Sequence, residues 1–120
     1  MDKDTSSKAA SNIGSRIRYQ RKLHNMSQEK LALAASMNPA FIGHLERGEK
    51  SPTVATLEKL THALDISLGE LFSDSVELDC DNDRSMHYER IRLMLDKLSD
   101  EDVAAVSDII FRIIQLKGKP

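Results

Sequence analysis

Gln28, Asn38, His44, Arg47, Lys50 and Thr53 fall in one short stretch of a 120-residue chain. Together they offer amide, imidazole, guanidinium, ammonium and hydroxyl groups, which hydrogen-bond phosphate oxygens and the edges of bases. Pro39, Ala40 and Phe41 stand among them and add apolar surface of the kind that meets a thymine methyl group. Nothing here is arranged for bond-making. His24, His44, His62 and His87 have no metal-ligand spacing with acids or with Cys80, no Gly-rich phosphate loop is present, and no serine sits in a nucleophile setting. The expectation is a binding protein and not an enzyme, with no metal and no cofactor. A lone cysteine also excludes an internal disulfide framework.

The elements that must position these groups can be read from residues 27 to 48. Ser27 is a good N-cap, Glu29 puts negative charge in the first turn, and Leu31, Ala32 and Ala35 form a small-residue face that permits close helix approach. The run breaks at Met37-Asn38. Asn38 can cap a second helix whose first position suits Pro39, because that N–H would have no intrahelical partner, and Gly48 ends it. Ile42, Leu45 and Glu46 share one face, leaving Pro39, Ala40, Phe41, Gly43, His44 and Arg47 on the other. A short helix with a capped, open N-terminus is a probe for the major groove of double-stranded DNA. On this reading Pro39, Ala40, Phe41 and His44 face base edges, while Gln28, Asn38, Arg47, Lys50 and Thr53 face phosphates. Phe41 has a second reading as a core residue of its helix, since Phe is rarely left in solvent.

With Ile13-Gly14-x-Arg16-Ile17-Arg18 before it, and Ser51-Pro52-Thr53, Leu60, Ala63-Leu64-x-Ile66-Ser67-Leu68-x-Glu70-Leu71-Phe72 after it, the stretch resembles the phage-repressor/Cro type (XRE-type) helix-turn-helix family. The likeness covers roughly residues 12 to 72. It implies an all-α protein: a five-helix repressor-like DNA-binding domain whose third helix enters the groove. It implies a transcriptional regulator, chiefly a repressor, that binds as a two-fold homodimer to an inverted repeat with half-sites about one helical turn apart. In this family the position of Gln28 approaches a phosphate, and the positions of Arg21 and Glu46 join in an ion pair. Their places on core-facing rows ask for the same pairing, because a buried charge is tolerated chiefly when compensated. Family members often carry polar residues where this chain has Pro39 and Ala40, a departure that weakens direct readout.

Length and charge agree with that division. Single cores usually occupy about 50 to 200 residues, so the chain holds one small domain and an appendage. The net charge of −2 hides a polarised field: residues 13 to 50 carry seven bases and three acids, residues 73 to 120 seven bases and eleven acids. Residues 1–11 are polar and without periodicity and are expected to be disordered. A first helix is expected from Asn12 to Leu23, and a fourth from Thr53 with Val54, Leu57, Leu60 and Leu64 as its core row. Leu71 and Phe72 should close the domain at 12–72. Residues 73–84 form an acidic linker that contains Cys80, and 85–117 a helical hairpin. Ile91 and Leu95 on its first helix, with Val103, Val106, Ile110, Ile113 and Ile114 on its second, give more apolar surface than two helices can bury between them. A dimer interface is the first expectation, and docking on another protein, as in an antitoxin or a partner-controlled regulator, is the alternative. No apolar run approaches the ~20 residues that span a bilayer. Met1-Asp2-Lys3-Asp4 does not open a secretory signal either, so a cytoplasmic protein without a membrane partner is expected.

Overall fold

Five helices begin in the same way, four of them before residue 73, with a short polar side chain accepting a hydrogen bond from the backbone of the first turn. Ser27 accepts from Lys30 N at 3.0 Å, Asn38 from Ala40 N at 2.8 Å, Thr53 from Thr56 N at 3.1 Å and Ser67 from Glu70 N at 3.0 Å. In the computed structural model, residues 2–73 and 83–118 are described, residues 2–11 by their backbone alone. The described chain is all-helical: α1 Asp2–Leu23, α2 Gln28–Ala35, α3 Pro39–Glu46, α4 Val54–Leu64, α5 Leu68–Leu71, α6 Asp83–Asp96 and α7 Asp100–Gly118. No described helix is long and apolar enough to cross a membrane.

One unit contains α1 to α5 and the start of α6 as far as Met86; the second runs from His87 through α7. In the first, Ile17, Leu31, Ala32, Ala35, Ile42, Leu45, Leu57, Leu60, Leu64 and Leu71 form a single core. α3 lies against α1 and α2, α4 lies against α2, and α5 closes the end on α1 and α4. Arg16 fastens that end, donating from its guanidinium to the carbonyl of Ser73 at 3.0 Å and to Asn12 Oδ1 at 2.9 Å.

The structure departs from the sequence reading in several places. α1 starts at Asp2, where residues 1–11 were expected to be disordered. No Pro or Gly stands before Gly14 to stop a helix already nucleated by the packed segment, and each added residue gains one backbone bond. Val54 is 67% exposed rather than in the core row, because it opens α4 outside the core; Thr61 fills the buried face instead. Phe72 is 41% exposed and only Leu71 closes the core, since the chain leaves α5 there. Gly43 is buried, with the Arg47 guanidinium and then Gln28 of α2 lying nearest the place a Cβ would take. The expected linker lies outside the described residues from 74 to 82, and its last two residues, Asp83 and Arg84, are helical.

The second unit is built differently. α6 and α7 are joined by Lys97-Leu98-Ser99, with Ser99 Oγ accepting from Asp102 N at 3.2 Å. They lack the close side-by-side packing that the helices of the first unit show. No residue of α7 is buried.

Candidate nucleic-acid interface

α3 is held by its inner side. Ile42 and Leu45 are fully buried in the core. Its last turn meets α1 at Gly14, where an added Cβ would overlap the carbonyl oxygen of Leu45 and come within 2.7 Å of that of Glu46. Only glycine allows the two helices this approach.

Beside that contact, Arg21 of α1 and Glu46 of α3 form a bidentate pair: Arg21 Nε donates to Glu46 Oε2 at 2.6 Å and a terminal guanidinium nitrogen donates to Oε1 at 3.0 Å. The other terminal nitrogen donates to the carbonyl of Met26 at 2.9 Å. Both side chains are almost wholly removed from solvent, 10% and 3% exposed. Gln28, at the start of α2, adds its amide to the same carboxylate, donating to Oε1 at 3.1 Å. The sequence reading gave that amide to a phosphate; in the fold it serves Glu46. The second N–H of the amide and the backbone N–H at the helix start are what Gln28 keeps for an outside acceptor.

The outer side of α3 presents a different set. Pro39 and Ala40 are exposed at its N-terminus and His44 is half-buried one turn later. Asn38 spends its carbonyl oxygen on the cap, which leaves its NH2 as the donor it can offer outward. Phe41, read as a base-facing residue, is only partly exposed and packs against the core. Its position lies next to Leu45 on the helical wheel, at the border between the two faces, and ring burial decides the side.

Past the helix end, Gly48 adopts φ 74°, a backbone that turns the chain sharply away. Glu49 then reaches back: Arg47 Nε donates to its Oε1 at 2.8 Å, and His44 Nδ1 to its Oε2 at 2.5 Å. The hydrogen bonds from Arg47 and then His44 hold the Glu49 carboxyl at about 2, well below its ordinary 4.5, and Glu49 raises Arg47 in turn. Glu49 therefore stays ionised through the neutral range and occupies donors that the sequence reading gave to DNA. Lys50 and Thr53 are exposed beyond this cluster. Among the described residues no group of acids, histidines or cysteines is arranged to hold a metal.

A Helix-turn-helix family model matches residues 17–71, and control protein C.SmaI of Serratia marcescens is 34% identical over 61 residues, which are 51% of this chain and 73% of that protein. The chain belongs to the XRE-type helix-turn-helix family of DNA-binding transcription regulators. The transcriptional regulator SinR of Bacillus subtilis is 29% identical over 80 residues, covering 66% of this chain and 72% of SinR. The crystal structure of the restriction-modification controller protein C.AhdI of Aeromonas hydrophila superposes with a TM-score of 0.53 at 34% identity, spanning 54% of this chain and 98% of that one. α2 and α3 both lie within the residues that the family model matches.

Three residues of the site were missed or undervalued in the sequence. Gly14 carried a signal, since a glycine inside a helical pattern marks close backbone approach. Arg16 and Glu49 carried little, because Ser73, the distant partner of Arg16, and the outer edge of α3, which Glu49 meets, are defined only once the chain has folded.

Proposed function

We propose that the protein is a repressor which occupies an inverted-repeat operator as a homodimer and blocks polymerase there. The observation that carries this reading is the two-sidedness of α3. Its inner charge, Glu46, is neutralised by Arg21, so the side left for solvent carries Arg47 and Lys50 against the one ionised acid Glu49, and keeps a net positive charge toward DNA. On this reading α3 enters the major groove N-terminus first. Pro39, Ala40 and His44 lie nearest the bases, with the exposed edge of Phe41 beside them. The backbone N–H of Gln28, the Asn38 amide, Arg47, Lys50 and the N-terminus of α4 at Thr53 hold phosphates. The few base-reading groups give modest specificity per half-site, which DNA shape and a second half-site raise.

Selection of bound fragments from genomic DNA, followed by titration of variants, tests the assignment. His44→Ala is expected to lower operator affinity by roughly 1 to 3 kcal/mol while leaving random DNA nearly unchanged. Lys50→Ala should weaken both alike. Equal losses on both DNAs for His44→Ala would remove it from the base-reading set.

The open apolar face of α7 supports a second reading, in which the C-terminal helices bind another protein that controls the regulator. Solution mass separates the two: a stable homodimer of the isolated chain favours the first, and a monomer that becomes soluble only with a co-expressed partner favours the second.

A further inference from the structure

The exposed face of α7 has an internal symmetry. Val103, Val106, Ile109, Ile110, Ile113 and Leu116 are separated by three, three, one, three and three residues, so the series reads the same from either end. At 3.6 residues per turn these six lie within about 140° of the helix circumference. Four of them, Ile109, Ile110, Ile113 and Leu116, are exposed, and Val103 and Val106 are partly covered. Its centre falls between Ile109 and Ile110.

The charges flanking the stripe are opposite at the two ends. Asp100, Glu101 and Asp102 precede it and Lys117 follows, with Lys119 next in the sequence. Reflection about the same centre sets Val103 against Leu116, Val106 against Ile113, Ile109 against Ile110 and Asp102 against Lys117. A two-fold interface requires this relation, since residue i of one copy must suit residue j of the other and j must suit i. A parallel arrangement would set the three acids against their own copies, and like charges in register repel.

We infer that α7 pairs antiparallel with α7 of a second copy of this chain, about a two-fold axis that crosses the helices between Ile109 and Ile110. This rests on the homodimer reading above and adds its direction and register. The occupant is a second copy because both the spacing and the end charges complement themselves. Ile114 and Phe111 lie on the neighbouring stripe and extend the apolar surface at its border.

Cysteine cross-linking in the full chain tests the register, with Cys80 replaced by Ser and dimer content followed in parallel by sedimentation. Ile110→Cys, beside the axis, should oxidise to a covalent dimer by itself. Val106→Cys and Ile113→Cys, which lie on the midline of the stripe, should each stay uncrosslinked, because identical positions lie about 10 Å apart along the axis at 1.5 Å per residue, outside disulfide reach. Mixed and re-equilibrated, these two variants should cross-link to each other. Cross-linking of Val106→Cys and of Ile113→Cys to their own copies would show a parallel pair and overturn the inference while leaving the homodimer intact. A monomer at every concentration would remove the homodimer reading itself, and the register with it. A dimer in which none of the three positions cross-links would place the interface off α7.

Discussion

α3 has eight residues and buries four of them, whereas α7 has nineteen and buries none. Both are well-formed helices, but their side chains have different destinations. The shorter helix exists because α1 and α2 cover its inner side, and what it exposes is small and polar. The longer one exposes Ile109, Ile110, Phe111, Ile113, Ile114 and Leu116, a surface that water penalises at roughly 25 cal/mol per Å². Helices in proteins gain most of their stability from packing an apolar face. One unit of the chain has made that packing by itself, and the other has its apolar face still open.

The contrast can be broken most sharply at Glu46. Glu46→Ala leaves Arg21 buried without its counter-charge and should destabilise the first unit by about 3 to 5 kcal/mol, read as a fall in the thermal midpoint. Replacing both Arg21 and Glu46 by apolar residues of similar volume should cost far less. An unchanged midpoint for the single variant would mean that the pair is solvated.

Ile113→Asp makes the opposite kind of change. It should leave the melting of the first unit in place, yet lower apparent operator affinity by ~100-fold, because the second half-site no longer binds as part of a linked pair. Gel-shift titration on one and on two half-sites checks this, and equal affinities for wild type and variant on the complete operator would exclude α7 from dimerisation.

Gly14→Ala should destabilise by ~1 to 3 kcal/mol, since α1 must retreat from the last turn of α3. Gly69→Ala is the control: its added Cβ would meet only Ser67 Oγ, at 3.6 Å, so denaturant midpoints should hardly move.

The smallest effect is expected at Glu49. Glu49→Gln removes the carboxylate that holds His44 and Arg47 and should raise affinity for DNA a few-fold at low salt, with only a small loss of stability at neutral pH because these pairs are exposed. The sign with pH follows from its lowered value: what the ionised cluster contributes is present above about 4.5 and is lost only as the pH falls towards about 2. Wild-type and variant binding titrated at pH 6 and pH 8 should therefore differ by a similar factor.

Much of the first unit was legible because its instructions are local. Ser27, Asn38, Thr53 and Ser67 cap the helices they precede, and Gly48 turns the chain, each through groups a few residues away. Arg21 and Glu46 could be matched across twenty-five residues because each stood on a core-facing row and only the other offered the opposite charge there. Val54 and Phe72 were misplaced for a different reason. Helical periodicity gives the direction of a side chain but not whether a neighbouring helix extends far enough to cover it, and both sit at helix ends. Gln28 and Phe41 sit at the border of two faces, where the outcome depends on Glu46 and Leu45 and not on their own type. Glu49 was invisible as a partner of His44 and Arg47, since only the turn at Gly48 folds it back.

The lock on the inner side of α3 also bears on how such a regulator changes over generations. Because Ile42, Leu45, Glu46 and Gly14 secure the helix without help from Pro39, Ala40 or His44, substitutions at those three outer positions are nearly free of folding consequences. If α3 reads DNA as proposed, its address can drift from one descendant to the next while the scaffold carrying it stays the same.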